Sequence, residues 1–585
     1  MVADRFGDIV AQNGPDAIGV VGSLHCTNEE NYLLNKFART VLRTNHIDTA
    51  ARFFQAPALM AMTRIFGRLR ATASLLDVEK TAAILIFGAN LKSQMANAGS
   101  FVLQAVKNGT PCVLVDPRTL DHSPFMTLNL KPFPGTDLTL IYTLINVILR
   151  KDWQEPSLGN LEELKKSVQD YTLEFCEAVT SIPANQIVET ARLFATAKSG
   201  VILFGSGLTQ QPDGTANVKA LATLAFLTGN LQKEGAGILP LMYANNMQGA
   251  LDMGLCPEFL PGYQDVVARN LKVWQQHWPG LAPLKKGLTL QEMLSQAGKI
   301  VRAMYIVGEN LARSAPDSTN AVKALKRLNF LVVQEMFRTE TAELADVVLP
   351  AVSFAEKEGT FTNTEGRVQR LRRAISPLRN ALPDCEIVSK IAGRMGKQLS
   401  FHHPEEIFKE IAAWVPGYQG MTYQALDRPG GLLTLIDSST QAEPRRLSRR
   451  LFQQVLAQPL QSSESPTPEL PFTMVVCRSP FHIMTGTQIE KSFILKKELA
   501  VGTAEINGDQ ARELGLRHGW QVRISNANGA ITRSLIFSRD VPKNVIFVPV
   551  HPQNGLTLSL TPAKLEKSSK IPLMKMCAVK VEMLK

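Results

Sequence analysis

Ala82-Ala83-Ile84-Leu85-Ile86-Phe87-Gly88-Ala89-Asn90 and, a helix's length later, Cys112-Val113-Leu114-Val115-Asp116-Pro117-Arg118 decide the fold class of this chain. Short, unbroken apolar runs bounded by Gly or Pro are the mark of strands covered on both faces. Gly88 supplies a sharp exit from the first run, because a residue without Cβ turns the chain at little steric cost. The stretch that follows has helical spacing through Ala105, and the chain then returns as a second buried strand over 112–115. The same grammar recurs. A strand over 17–23 leads into a helix over about 28–42. A strand over 201–204 turns at Gly205-Ser206-Gly207 and enters an apolar helix around 220–227. A strand over 304–307 turns at Gly308-Glu309-Asn310, and a helix from Asp317 carries the chain to a strand over 330–333. Strands alternating with helices in this way predict an α/β fold with doubly wound parallel sheets.

Beyond Arg450 the texture changes. Residues 457–469 are rich in Gln, Ser and Pro and read as a linker, with a domain boundary near Pro466. Short strands and tight turns follow, over 520–525, 531–537 and 545–548, with a turn at Asn526-Ala527-Asn528-Gly529. They predict a closing β-barrel. A chain of 585 residues exceeds what one hydrophobic core organises, so several domains are expected.

Composition narrows the function classes. With 45% hydrophobic and 20% charged residues, the chain is globular rather than disordered or fibrous. No apolar run reaches the ~18–20 residues of a membrane helix, and the start shows no export signal, so a cytoplasmic protein without a direct membrane span is expected. The net charge of +11 is spread along the chain. Its one dense run, Arg445-Arg446-Leu447-Ser448-Arg449-Arg450, lacks interleaved aromatics and reads as a solvated or partner-docking face rather than a nucleic-acid site. The seven cysteines are scattered, with no C-x-x-C pair, and read as small buried hydrophobes in a reducing compartment. An iron–sulfur cluster needs grouped thiolates, so none is expected on this chain. The nine histidines show no metal spacing.

Two strand ends suggest nucleotide-sized crevices. At Gly88 and Asn90 a helix opens after a buried strand, and Asp116 ends the next strand. Backbone N–H groups there can meet a phosphate and the acid can meet ribose hydroxyls. Gly308-Glu309-Asn310 with Gln334 and Glu335 repeats the arrangement. Ordinary turn chemistry would use the same residues. Asn245-Asn246-Met247-Gln248-Gly249-Ala250 and Phe361-Thr362-Asn363-Thr364-Glu365-Gly366-Arg367 are polar and Gly-punctuated. Their amides and hydroxyls could ligate a polar heterocycle, but loop-internal Asx turns are the favoured reading.

Taken in order, these segments resemble the molybdopterin oxidoreductase superfamily, and within it the formate dehydrogenase catalytic subunit. The matching stretches are Cys26-Thr27-Asn28-Glu29-Glu30-Asn31-Tyr32, Val115-Asp116-Pro117-Arg118, Pro134-Gly135-Thr136-Asp137, Leu227-Thr228-Gly229-Asn230 and Asn245 to Ala250. Gly308-Glu309-Asn310, Ala345-Asp346-Val347-Val348-Leu349-Pro350, Gly359-Thr360-Phe361-Thr362-Asn363-Thr364 and Ser569-Lys570-Ile571-Pro572 follow. The resemblance implies two pterin-binding α/β domains. The first would comprise residues 1–50 with 246–455, and the second, residues 51–245, would be inserted in it. A linker over 456–469 and a double-psi β-barrel over 470–585 would follow. It implies molybdopterin guanine dinucleotide as cofactor. The binding positions would be Gly88, Asn90, Asp116, Arg118, Gly135, Asp137, Gly205, Asn246, Gly308, Asn310, Gln334, Thr362 and Asn363.

The same resemblance exposes departures. The chain starts where the family's pterin domain starts, so the N-terminal [4Fe–4S] module is expected to be missing. Where the family has its cysteine or selenocysteine metal ligand, this sequence has Phe54, whose ring offers molybdenum no lone pair. The adjacent histidine is replaced by Gln55, which cannot titrate near neutral pH, and the formate-clamping arginine falls at Met242. Losing such groups commonly costs ~100–1000-fold each. These swaps count against formate oxidation and against use of the cofactor. Phe53, Phe54 and Met242 are expected to plug the former pocket. The expectation is a degenerate formate-dehydrogenase-like scaffold with no metal site of its own, similar in character to the G subunit of bacterial NADH:quinone oxidoreductase. Its partners would be iron–sulfur and NADH- or quinone-linked subunits. The alternative is a molybdenum or tungsten bis-pterin enzyme acting on another substrate.

Overall fold

The computed structural model of the chain describes residues 1–159, 161–231, 233–282, 285–434, 466–478, 485–498, 502–552 and 554–584. The chain divides into two compact units. One comprises Met1–Phe53 with Ala244–Gln441, the other Phe54–Tyr243 with Ala442–Lys585. The basic run at 445–450 and most of the expected linker lie outside the described residues.

The first unit is built on a five-stranded sheet in the order Val347–Pro350, Phe330–Glu335, Ala303–Val307, Ile18–Gly22, Ile47–Thr49. Every neighbouring pair is parallel, with Ile18 opposite Ala303 and Ala303 opposite Phe330. The central strands Ile18–Gly22 and Ala303–Val307 are buried along their whole length, as their unbroken apolar composition requires. The helix Asn28–Lys36 begins at a capping box. The Thr27 hydroxyl accepts from the Glu30 amide at 3.2 Å, and the Glu30 carboxylate accepts from the Thr27 amide at 2.8 Å. The sequence predicts one helix to about 42. Instead it ends at Lys36 and passes into a π-turn over Phe37–Val41. The cause is Arg39, whose fully buried guanidinium bonds Asn35, Asn45 and the carbonyls of Cys256 and Phe259 at 2.7–3.0 Å. Satisfying a buried charge outweighs regular helix geometry here.

The second unit holds another five-stranded parallel sheet, ordered Leu128–Leu130, Cys112–Val115, Ile84–Phe87, Val201–Phe204, Gly237–Pro240. Ile84 and Ile86 point to one face, with Leu114, Val201 and Leu203, and meet Ala98, Val102 and Ala105 of the helix Ala96–Lys107. Burying each large aliphatic chain stabilises by roughly 1.5–3 kcal/mol. The helix Gly214–Leu227 is buried on all sides, in keeping with its run of Ala, Leu, Val and Phe, and its polar residues Thr215, Asn217, Lys219 and Thr223 are buried with them.

The C-terminal strands close a six-stranded barrel in the order Phe472–Cys477, Val545–Pro549, Thr503–Asn507, Gly529–Ser538, Gln521–Asn526, Met576–Met583. The pairs Phe472–Cys477 with Val545–Pro549 and Thr503–Asn507 with Gly529–Ser538 are parallel, while the other pairings are antiparallel. Two parallel pairs inside a closed barrel fit the double-psi type. The turn read at Asn526 to Gly529 is the two-residue hairpin loop, with Asn526 paired to Gly529. All seven cysteines are buried and free. Among the described residues, no helix is long and apolar enough to cross a membrane.

Candidate functional site

Two strand ends of the second unit meet backbone to backbone. Gly88 ends its strand with φ +55°, and a Cβ there would lie 2.6 Å from the Leu208 amide nitrogen and 2.7 Å from the Gly207 carbonyl carbon. The Gly207 amide donates to the Gly88 carbonyl at 3.0 Å. Glycine is required at these positions, because two chains cross where no side chain fits.

This crossing forms one wall of a cleft with about 720 Å³ of empty space, part of it open to solvent. Asn90, Gln94, Asp116, Arg118, Asp137, Ser206 and Gln211 line it from the sheet side, and Cys477, Arg478, Phe547, Lys575 and Met576 line it from the barrel. Asn90 caps a short helix through the Ser93 amide. Asp116 accepts from the Arg118 amide at 3.0 Å, an Asx turn that aims both side chains into the cleft. Arg118 donates to Glu505 at 2.9 Å and lies over the Phe547 ring, while its Nε is buried without a partner among the described residues. Asp137 opens the helix Asp137–Arg150 and accepts from Gln211 at 2.8 Å, and burial pushes its carboxyl up to about 6.

Two cations here were missed by sequence reasoning. Lys575 has no hydrogen-bond or ion-pair partner among the described residues, and burial first, then Arg478 and Arg118, lowers its pKa, against the opposite pull of Cys477 and Asp116. Arg478 follows the first barrel strand, and its guanidinium lies over the rings of Tyr243 at 4.0 Å and Phe54 at 5.0 Å. Nothing local in the sequence marks either, since both sit at strand ends more than 350 residues from the turn they face.

Of the thirteen positions nominated for the cofactor, Gly88, Asn90, Asp116, Arg118 and Asp137 converge on this cleft. Gly135 and Gly205 lie beside it through Pro134 and Ser206. Gly135 has φ +90° and a Met576 methyl where a Cβ would point. The remaining six belong to the first unit, where their side chains are engaged internally. Asn246 donates to the Cys26 carbonyl and accepts from the Thr362 amide, both at 2.7 Å. The Thr362 hydroxyl meets Asn28 and Tyr418, and Asn363 closes an Asx turn on Glu365 and Arg367. Asn310 donates to Glu340 and accepts from Thr341, each at 2.8 Å. Gln334 accepts from the Tyr305 hydroxyl and donates to Asp384 at 2.7 Å. The Ser23 hydroxyl bonds the Gly308 carbonyl at 2.8 Å. For Asn363 the loop-internal Asx turn describes the side chain, whereas Asn246 ties its loop to the distant segments at Cys26 and Thr362.

The three departures are buried. Phe54 packs its ring on Tyr243, 4.6 Å between centroids, and its carbonyl accepts from the Thr209 hydroxyl at 2.6 Å. Gln55 is fully buried, its amide nitrogen donating to the Leu241 carbonyl at 2.9 Å and its oxygen without a partner among the described residues. Met242 is buried at 3% exposure. The aromatic partner of Phe54 is Tyr243, while Phe53 is buried in the first unit.

In the first unit, Cys26, Glu30 and Asp384 approach one another closely enough to hold a cation. Lys357 already stands there, its ammonium 2.8 Å from Glu30 and 2.7 Å from Asp384. The site is an internal ion triad.

The sequence matches the molybdopterin oxidoreductase family model over residues 1–394. The chain belongs to the molybdopterin oxidoreductase family. Residues 472–578 match the molydopterin dinucleotide binding domain, which coincides with the barrel. A formate dehydrogenase subunit alpha of Methanocaldococcus jannaschii is 36% identical over 98% of this chain and 88% of its own length. Formate dehydrogenase H of Escherichia coli is 30% identical over 99% and 84%. The assimilatory nitrate reductase catalytic subunit of Bacillus subtilis is 32% identical over 99% and 85%. Acetylene hydratase from Pelobacter acetylenicus shares the fold, with TM-score 0.79 and 18% identity over the whole chain and 88% of that protein. The residues of the second unit's cleft fit the family's dinucleotide. Lys575, Arg478 and the Arg118 Nε, which has no partner among the described residues, offer donors to phosphate oxygens.

Proposed function

We propose that this chain is a formate-dehydrogenase-like subunit of an electron-transfer complex, retaining the pterin-binding body and serving as a scaffold without oxidising formate. The observation that carries the reading is Phe54. At the family's metal-ligand position the chain has a buried phenyl ring packed on Tyr243, beside a non-titrating Gln55 and with a buried Met242 where the anion clamp is expected. Metal ligand, proton acceptor and carboxylate clamp are replaced together by groups that cannot do their work. When bound, the pterin dinucleotide supplies dithiolene sulfurs for a redox metal. Asp116, Asp137, Arg118 and Lys575 would bind and orient its nucleotide end, and Phe54 would exclude water and substrate from the place where a protein thiolate is otherwise offered. The partners of this reading are iron–sulfur subunits and NADH- or quinone-linked subunits, met in the cytoplasm or at the cytoplasmic face of a membrane.

Purification of the protein from its native host, with molybdenum, tungsten and pterin quantified per chain, tests the reading. Substoichiometric metal in a chain that co-purifies with cluster-bearing subunits is expected. A monomer with no such partner contradicts it. The second reading, a molybdenum or tungsten enzyme for another substrate, draws support from the cleft cations Lys575 and Arg478, which have no ion-pair partner among the described residues. Near-stoichiometric metal with pterin would decide for it.

A further inference from the structure

We propose that the loop over residues 374–379 of the first unit, together with Phe354, is a docking surface for an acidic protein partner. Phe354, Ile375 and Leu378 are 62%, 58% and 71% exposed. Their backbones stand side by side. The amides of Ala374 and Ile375 donate to the Ala355 carbonyl at 2.8 and 3.0 Å, and the Leu378 amide donates to the Glu356 carboxylate at 2.7 Å. Glu356 is itself fixed by the amide and hydroxyl of Ser353, at 2.8 and 2.7 Å. Pro377 stiffens the loop further, because its ring sets φ. Large apolar side chains scattered singly over a surface are ordinary, but three on one anchored stretch, rimmed by charge, mark an interaction site. The backbone is already held, so little freedom is lost when a partner covers them. Full burial of each would contribute roughly 1.5–3 kcal/mol.

Charge decides what kind of partner fits. Residues 371–380 carry Arg372, Arg373 and Arg379 and no acidic residue. Arg372 is paired with Asp427 at 2.6 Å. Arg373 and Arg379 are exposed, and neither has a hydrogen-bond or ion-pair partner among the described residues. The carboxylate that anchors the loop, Glu356, is taken up by Ser353 and Leu378. A guanidinium fork matches a carboxylate with two parallel hydrogen bonds, and arginine beside aromatic and aliphatic groups is the composition of a protein interface. The complementary surface is an apolar pocket rimmed by Asp or Glu. A second copy of the chain would set arginines against arginines across a twofold axis. An anionic membrane is held by a cluster of ~4–8 basic residues, more than Arg373 and Arg379 supply. The inference rests on the reading of the chain as a subunit of a complex, and it names one face at which that complex is joined.

The test uses the full chain in its native host, with the photo-crosslinker p-benzoylphenylalanine in place of Leu378. A product with a co-purifying subunit is expected, and the linked peptide of that subunit should carry Asp or Glu. In a parallel preparation, Arg373→Glu with Arg379→Glu should lower that subunit's amount per chain at least ~tenfold, with the thermal unfolding midpoint unchanged. Linkage to a second copy, to lipid, or to a peptide without acidic residues would each overturn the inference. So would an unchanged subunit content in a double variant that folds normally. Should the double variant fail to fold, crosslinking of the otherwise unaltered chain still decides. Cluster-bearing subunits that co-purify without linkage at position 378 remove the docking surface alone. A chain that co-purifies with none removes the scaffold reading, and the docking surface with it.

Discussion

The two units carry the same strand-end grammar and put it to different uses. Gly88-Ala89-Asn90 and Gly308-Glu309-Asn310 each follow a buried parallel strand, and the two glycines share the left-handed conformation, φ +55° and +57°. In the first unit the next strand end is consumed from within. Gln334 is bonded by Tyr305 and Asp384, Asn310 by Glu340 and Thr341, and Lys357 neutralises Glu30 and Asp384. In the second unit the corresponding end, Asp116, opens on a cleft into which Lys575 and Arg478 bring charge without a hydrogen-bond or ion-pair partner among the described residues. Local sequence sets the turn. Residues brought from elsewhere in the chain decide whether that turn becomes core or site.

The two lysines break the comparison most sharply. Lys357→Met leaves two carboxylates buried without their cation, and a loss of ~3–5 kcal/mol in urea unfolding is expected. Lys575→Met removes a cation with no partner among the described residues, so a change within ~1 kcal/mol is expected from the same measurement. Similar large losses for both would erase the distinction between a core lysine and a ligand-facing one. The glycines come next. Gly88→Ala adds a Cβ against the backbone of Gly207 and Leu208, and a loss of ~3 kcal/mol or more is expected. At Gly308 the nearest atoms are the Ser23 hydroxyl and Cβ at 2.9 and 3.0 Å, which can shift. A smaller loss of ~1–2 kcal/mol is therefore expected for Gly308→Ala.

The smallest effect is one of pH. Burial pushes the Glu309 carboxyl up from 4.5 to about 7, opposed by the Ser314 hydroxyl that donates to it at 2.7 Å. A raised carboxyl pKa means the folded chain binds the proton more tightly than the unfolded one. The stabilisation is full below about 4.5 and is lost as pH rises through about 7. Hydrogen exchange over the strand Ala303–Val307 should therefore quicken between pH 5 and 8 beyond its intrinsic dependence. Glu309→Gln should flatten that rise. An unchanged profile in the variant would remove Glu309 as its source.

Much of the fold was legible because its information is local. The strands Cys112–Val115 and Val201–Phe204 stand where unbroken apolar runs ended at Gly or Pro, and the hairpin at Asn526 to Gly529 is a turn signal between alternating strands. Five of the cofactor positions gather in one cleft, because strand ends of a parallel sheet lie side by side. What stayed hidden is long-range. The π-turn after Lys36 depends on carbonyls of Cys256 and Phe259 reached by Arg39, and no periodicity in residues 28–42 announces them. Arg478 and Lys575 are ordinary cations beside barrel strands, and only closure of the barrel gives them the cleft. Polar loops such as Asn245 to Ala250 read the same whether their amides hold a ligand or other segments of the chain, as Asn246 holds Cys26 and Thr362.

The account turns on Phe54 having ended formate oxidation. Its most direct test is formate-dependent reduction of a viologen dye by the protein purified from its native host, normalised to bound metal. No reduction above the formate-free rate is expected, even in preparations that contain molybdenum or tungsten. Sustained turnover that follows the metal content would contradict the account, and would mean that a bis-pterin site works here without a thiolate, an imidazole or the family's arginine.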